Sequence, residues 1–131
     1  MTILRRALQA FAAVYGGCGL ALMIVPRWIL VDWFQQPPYP DYTYVRVAGA
    51  MAVGLAMFAI MVARRDDAWW WAWTFAMVTA LCGTITTAHA LLDVPKGAGV
   101  SMWWLFAVSS WALTAGLVLG LTRASQDNPL S

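Results

Sequence analysis

Charged residues are what this sequence has least of. Only 11% of its 131 residues are charged, with eight Lys and Arg against six Asp and Glu, whereas 62% are hydrophobic. A soluble domain carries roughly 25% charged and 45–50% apolar residues, so this chain cannot coat a water-facing surface. A formal net charge of +2 also leaves no basic patch of the kind that binds nucleic acid. The composition therefore predicts a single domain embedded in a lipid bilayer.

Residues that carry chemistry are also scarce. There is one histidine, His89, and there are two cysteines, Cys18 and Cys82, neither of them in a Cys-x-x-Cys pair. A single histidine excludes bis-histidine haem within one chain, and the cysteines give no sign of a zinc or iron–sulfur site. No Gly-rich phosphate loop, nucleophile elbow or pair of intramembrane carboxylates is visible. These absences favour a non-catalytic protein without a metal, and we interpret both cysteines as free thiols.

Long apolar runs are what the sequence does contain. Four stretches can cross the ~30 Å hydrocarbon core as helices, at residues 7–31, 44–63, 69–92 and 101–122, with an outer loop at 32–43. Pro26 is expected to bend or end the first of them. Tryptophans cluster where the spans begin or end, which is typical of membrane–water boundaries. The sequence thus predicts an all-α, integral membrane, antiparallel four-helix bundle.

The positions of the arginines and the lysine predict the orientation of this bundle across the membrane. Five of them fall on the side of the N-terminus, the second turn and the C-terminus, namely Arg5, Arg6, Arg64, Arg65 and Arg123. The other side has three, namely Arg27, Arg46 and Lys96. Because cytoplasmic loops carry the excess of positive residues, we predict that both termini are cytoplasmic. The expected location is the bacterial inner membrane, and the short turn at 64–67 predicts that the second and third spans are neighbours.

Small residues recur at helical spacing and predict where helices pack. Such residues let backbones approach closely, which matters in lipid because no hydrophobic drive holds helices together there. The predicted packing positions are Ala48, Ala52, Ala56, Gly83, Ala112, Gly116 and Gly120. Gly116 and Gly120 form a Gly-x-x-x-Gly pair, which we interpret as a face that the bundle core does not need and that can dock a partner.

The candidate ligand site lies near the outer end of the third span. His89 and Asp93 are four residues apart on one helix and can touch, and a carboxylate that orients an imidazole is typical of metal sites and general bases. Arg46 is expected at matching depth on the second span, paired with Asp93. Tyr44 or Trp111 would add an apolar wall, and the buried indole N–H of Trp111 requires an acceptor. A purely structural helix-end pair is an equal alternative for His89 and Asp93.

The layout resembles the DoxX-like group of small four-helix bacterial membrane proteins. The features concerned are a first span closing on Pro26, an aromatic outer loop, and an Arg-x-x-Gly-x-x-x-x-Gly pattern at Arg46, Gly49 and Gly54. The resemblance covers the order and length of all four spans. It implies a compact bundle, and some members of the group are linked to quinone-reducing thiosulfate oxidation or to membrane redox-stress complexes.

Two functions remain open at this stage. The first is a non-catalytic subunit that packs against a larger respiratory or photosynthetic membrane complex, or against a second copy of the chain. The alternative is a DoxX-like protein that binds or transforms a lipophilic small molecule such as a quinone, with a bound lipid or pigment in the same class. A small-solute exporter is disfavoured because neither an inverted repeat nor a broken mid-membrane helix is visible.

Overall fold

The computed structural model of the chain describes residues 2–38, 40–92 and 100–127. Those residues form four α-helices, α1 Thr2–Ile24, α2 Thr43–Ala63, α3 Ala68–Leu92 and α4 Ser101–Asp127, with a π-helix at Trp28–Trp33 and no strand. All four α-helices are long and apolar enough to cross a membrane, with mean hydropathy between 1.6 and 2.1 in their most apolar windows. The chain is therefore an all-helical protein with four candidate membrane spans.

The first span differs most from its predicted bounds. Helix α1 begins at Thr2 and ends at Ile24, just before Pro26, which confirms the expected break. The apolar residues that follow form the π-helix, in which the amide of Phe34 donates to the carbonyl of Ile29 over 3.1 Å. Gln35 then adopts a left-handed conformation with φ of 56°. The chain thereby leaves the helix before the proline-rich loop.

The outer surface of the helices is apolar. Met77, Leu81 and Leu92, which the helical periodicity of α3 places opposite its small residues, are 63%, 62% and 67% exposed. In water such a surface would be a large unfavourable patch, whereas lipid tails match it. The exposure of these side chains is what a helix facing a bilayer requires.

The helices do not contact one another equally. The most extensive interfaces are α1 with α2 and α3 with α4, followed by α1 with α4, whereas α2 and α3 share little surface. Where α2 and α3 do meet, Phe58 lies against Trp71 and Phe75, close to the short turn that joins the two helices. The expectation that α2 and α3 are neighbours therefore holds near their turn and fails along the rest of their length.

Backbone contact holds α1 against α2. A Cβ atom placed on Gly19 would lie 2.6 Å from the carbonyl oxygen of Gly49, so a larger residue cannot be accommodated without moving a helix. The predicted packing residues Ala52 and Ala56 face this interface, opposite Gly19 and Gly16. The glycines thus let the two helices touch without an intervening layer of side chains.

The Gly-x-x-x-Gly face of α4 packs inside the chain. A Cβ on Gly120 would lie 2.6 Å from the Cα of Leu4, and one on Gly116 would touch Ala7 at 3.7 Å. The expectation that the bundle core does not need this face is therefore wrong, because α1 packs against it. Ala48 and Ala112, by contrast, are exposed on the surface of the chain.

Large buried side chains gather in one half of the bundle. This closed half comprises the first halves of α1 and α3 and the second halves of α2 and α4. Its core includes Leu4, Leu8, Phe11, Val62, Phe75, Leu117 and Leu121. The remaining half, which we call the open half, contains the functional candidates described next.

Candidate functional site

The structure does not bring the predicted site residues together. Arg46 Nη1 donates a hydrogen bond of 2.9 Å to the carbonyl of Met23, so its side chain ties α2 to the end of α1. Tyr44 is 86% exposed and forms no wall of a site within the chain. Asp93 lies outside the described residues, and its ion pair with Arg46 stays a prediction.

His89 belongs to the interface of α3 and α4. Its Nδ1 lies 3.0 Å from the carbonyl oxygen of Ile85, one turn earlier on the same helix. Because a carbonyl only accepts, Nδ1 carries a proton in this contact. The imidazole also packs on the indole of Trp103, with 4.6 Å between ring centroids. His89 and Arg46 are thus held by different pairs of helices.

The indole N–H of Trp111 is hydrogen-bonded to the neighbouring helix. The residue is 44% exposed and so not buried as expected, but its Nε1 donates to the hydroxyl of Thr87 over 3.0 Å, which is the acceptor that we expected it to need. The ring lies directly on Gly83, where a Cβ would come within 2.9 Å of an indole carbon. Gly83 is therefore a packing residue, as predicted, and Trp111 is a structural contact of α3 with α4.

The threonines of α3 mostly bond to their own helix. Thr84 donates to the carbonyl of Ala80 over 2.8 Å and Thr86 to that of Cys82 over 2.7 Å, the i−4 bonds that threonine commonly makes in a helix. Thr79 also links two helices. It is fully buried, donates to the carbonyl of Ala76 over 3.0 Å and accepts a hydrogen bond of 2.7 Å from the hydroxyl of Thr114 on α4.

A cleft of about 360 Å³ opens in the second half of α1, between that helix and helices α3 and α4. Apolar side chains form most of its wall, including Val14, Leu22, Leu105 and Phe106. Six residues add polar or thiol groups: Tyr15, Cys18, Cys82, Thr86, Ser109 and Ser110. A mainly apolar cavity of this size with a few convergent polar groups is the usual form of a small-molecule site.

The hydroxyl of Tyr15 is the unsatisfied group of this cleft. The phenol ring stacks on Phe11 with 4.3 Å between centroids and an interplanar angle of 15°, so the packed core fixes its orientation. The oxygen is buried beside the side chains of Ser110 and Cys82, both close enough to interact with it. It nevertheless forms no hydrogen bond of ordinary length and angle with a described residue. A buried donor without a partner costs about 1–3 kcal/mol, which an acceptor on a bound molecule would recover.

Both cysteines face the same cleft. Cys18 and Cys82 are free thiols, as the sequence predicts, with Cys18 exposed and Cys82 half-buried. Cys18 belongs to α1 and Cys82 to α3, and both line the cleft together with Tyr15. The separation of the two cysteines along the chain gives no hint of this arrangement.

Sequence reasoning missed the residues that line the cleft. Tyr15 is a polar aromatic residue in the interior of an apolar span, away from both boundaries, and this position was the available signal. The sequence signal for Ser109 and Ser110 was weaker, since serines are common at helix contacts in membranes. Only the pairing of α1 with α4 brings these residues together.

Charged groups outside the spans bond locally. The hydrogen bond donated by Arg65 holds the pKa of Asp67 below its usual range, and the hydroxyl and amide of Thr43 do the same for Asp41. Asp41 is exposed and Asp67 is half-exposed. Each contact is therefore present at neutral pH and is lost as the pH falls through the lowered pKa. These pairs stabilise turns and take no part in the cleft.

Comparison with protein-family models, with curated proteins and with solved structures gives no match for this chain.

Proposed function

We propose that this chain is a multi-pass protein of the bacterial inner membrane that belongs to the DoxX-like group and binds a lipophilic small molecule in the cleft. The observation that carries the proposal is the buried Tyr15 hydroxyl, which forms no well-shaped hydrogen bond with a described residue and lies in the lining of a mainly apolar cavity. A quinone fits this chemistry because its ring is flat and apolar and its carbonyl oxygens accept hydrogen bonds.

The orientation that we propose is antiparallel, with both termini in the cytoplasm. Pairs of neighbouring residues support it, since Gly16 lies near Ala56 whereas Gly19, further along α1, lies near Gly49. Contacts that advance along one helix and retreat along the other belong to antiparallel neighbours. The arginine distribution supports the cytoplasmic side. A green fluorescent protein fused to the C-terminus should fluoresce, because it would fold in the cytoplasm. A fusion protein that is inserted in the membrane but does not fluoresce would contradict this orientation.

The test of ligand binding uses the tryptophan fluorescence of the purified protein and a short-chain benzoquinone as the probe. Tyr15→Phe removes only the hydroxyl, and we expect a roughly tenfold weaker affinity, which corresponds to the ~1.4 kcal/mol of one buried hydrogen bond. Ser110→Trp should fill the cleft and abolish binding. Tyr44→Phe is the matched control, because Tyr44 is exposed and lies outside the cleft.

Labelling of Cys18 locates the binding event. In a Cys82→Ser background, the bound quinone should slow the reaction of Cys18 with an apolar maleimide, because both occupy the same cleft. Equal affinities of the parent chain, Tyr15→Phe and Ser110→Trp, together with an unchanged labelling rate, would refute the proposed site.

The second candidate function is the accessory subunit of a larger respiratory or photosynthetic membrane complex. One observation favours it: Gly17 and Gly54 face open space, with no other atom within 4 Å of where a Cβ would lie. Small residues on the outer surface allow a helix of another protein to pack closely. Gly54→Leu would block such packing, so the variant should migrate without its partner on a native gel of mildly solubilised membranes. Migration of the parent chain alone would exclude this function.

A further inference from the structure

A second depression, of about 670 Å³, lies where α1, the π-helix and α2 meet. Unlike the cleft, its lining is rich in charge. Arg27, Asp32 and Arg46 all contribute to it, together with Trp28 and Tyr42. The sequence bounds of these elements place it at the end of the first span, where the chain leaves the membrane.

Neither of these two arginines forms an ion pair with a described carboxylate. Arg46 donates one N–H to the uncharged carbonyl of Met23, and the side chain of Arg27 has no hydrogen bond to a described residue. The ion pairs described in the chain, Arg5–Asp66 and Arg65–Asp67, involve other arginines, in the first turns of α1 and in the α2–α3 turn. Two guanidinium groups lining one depression are suited to a phosphate, which each can bind with two parallel N–H bonds.

Asp32 and Trp28 make the depression more specific than a simple anion site. Asp32 lines it without an ion pair among the described residues, and the ring of Trp28 is half exposed and supported edge-on by Trp33. A carboxylate and an indole face both attract an organic ammonium group. The lining therefore offers two guanidinium groups for an anion, and a carboxylate and an indole ring for a cation.

We propose that this depression binds the headgroup of a zwitterionic aminophospholipid, with its phosphate on Arg27 and Arg46 and its ammonium on Asp32 and Trp28. The occupant is a membrane lipid because apolar side chains continue from the rim. Ile24 is 62% exposed and Val25 is 38% exposed, and both line the same depression, so an acyl chain can follow them into the bilayer. This site is separate from the cleft and does not depend on its ligand.

The experiment is native mass spectrometry of the purified, delipidated protein titrated with phosphatidylethanolamine and, separately, with phosphatidylglycerol. The parent chain should retain phosphatidylethanolamine at least tenfold more tightly than phosphatidylglycerol. Arg27→Gln should weaken the binding of both lipids at least tenfold, and Asp32→Asn should remove the preference while leaving phosphatidylglycerol binding intact. Arg6→Gln, an exposed arginine in the first turns of α1, is the matched control and should change neither.

Three outcomes would overturn the proposal. These are equal lipid retention by Arg27→Gln and Arg6→Gln, an undiminished preference in Asp32→Asn, or displacement of the lipid by millimolar inorganic phosphate, which would assign the depression to a free anion. Arg27 makes no described polar contact, so Arg27→Gln should keep the helical content of the parent chain, and circular dichroism measures this. Tyr15→Phe should leave lipid retention unchanged, which separates this site from the cleft.

Discussion

The closed and open halves of the bundle use the same helices but pack in different ways. In the closed half, large side chains such as Phe11, Phe75 and Leu117 interlock and are fully buried. In the open half, the same α1 and α4 present Tyr15, Cys18 and Ser110 to a cavity instead of to each other. Helices in lipid are held by shape and hydrogen bonds, so a half that lacks interlocking side chains can keep an opening. The difference assigns stability to the closed half, and the open half is where we propose that a ligand binds.

The largest test of this comparison is a pair of phenylalanine truncations. Phe11→Ala empties a fully buried position in the closed half and should lower the free energy of unfolding by about 3–5 kcal/mol. Phe106→Ala removes a half-buried ring from the wall of the cleft and should cost less than half as much. Reversible unfolding in mixed micelles measures both. Equal losses would show that the two halves are equally packed.

A glycine pair tests the close contact of α1 with α4 in the closed half. Gly120→Ala drives a methyl group to 2.6 Å from the Cα of Leu4, and such overpacking should cost about 1–3 kcal/mol. Gly17→Ala meets open space and should cause no loss, because alanine is the better helix former. The same unfolding assay applies. If Gly120→Ala were as stable as Gly17→Ala, α1 and α4 would not touch at this level.

The smallest effect concerns the boundary between the two halves, where Thr79 and Thr114 link α3 to α4. Thr79→Val removes the interhelical hydrogen bond and should cost about 0.6 kcal/mol, since measured bonds of this kind in membranes average near that value. Thr84→Val is the control, because the exposed hydroxyl of Thr84 bonds only to its own helix. A loss in Thr84→Val as large as that in Thr79→Val would contradict the assignment.

Much of the helical frame could be predicted from the sequence, because hydropathy and helix breakers act locally. The break at Pro26 and the starts of α2, α3 and α4 follow from residues within a few positions of each boundary. The π-helix was not predicted. Its residues continue the apolar run, and nothing local distinguishes its wider turn from an α-helix.

The sites could not be predicted, because they depend on which helices pair. Small residues that face a neighbour look the same in the sequence as those that face lipid, and so Gly116 and Gly120 were assigned to a partner that proved to be α1. Arg46 and His89 were expected on adjoining helices, but α2 pairs with α1 and α3 with α4 along most of their lengths. The depth of a residue in the membrane follows from its position within its own span. Its neighbours on other helices depend on which helices pack together, and the span itself does not determine that.

The backbone contact at Gly19 and Gly49 limits how the molecule can move. At this level α1 and α2 touch backbone to backbone, so neither helix can shift along the other without a clash. The α3–α4 pair is joined by a side chain instead, the indole of Trp111, which lies on Gly83 and donates to Thr87. We therefore expect that the cleft widens for a ligand by a tilt of the α1–α2 pair against the α3–α4 pair, and not by a shift of one helix within either pair.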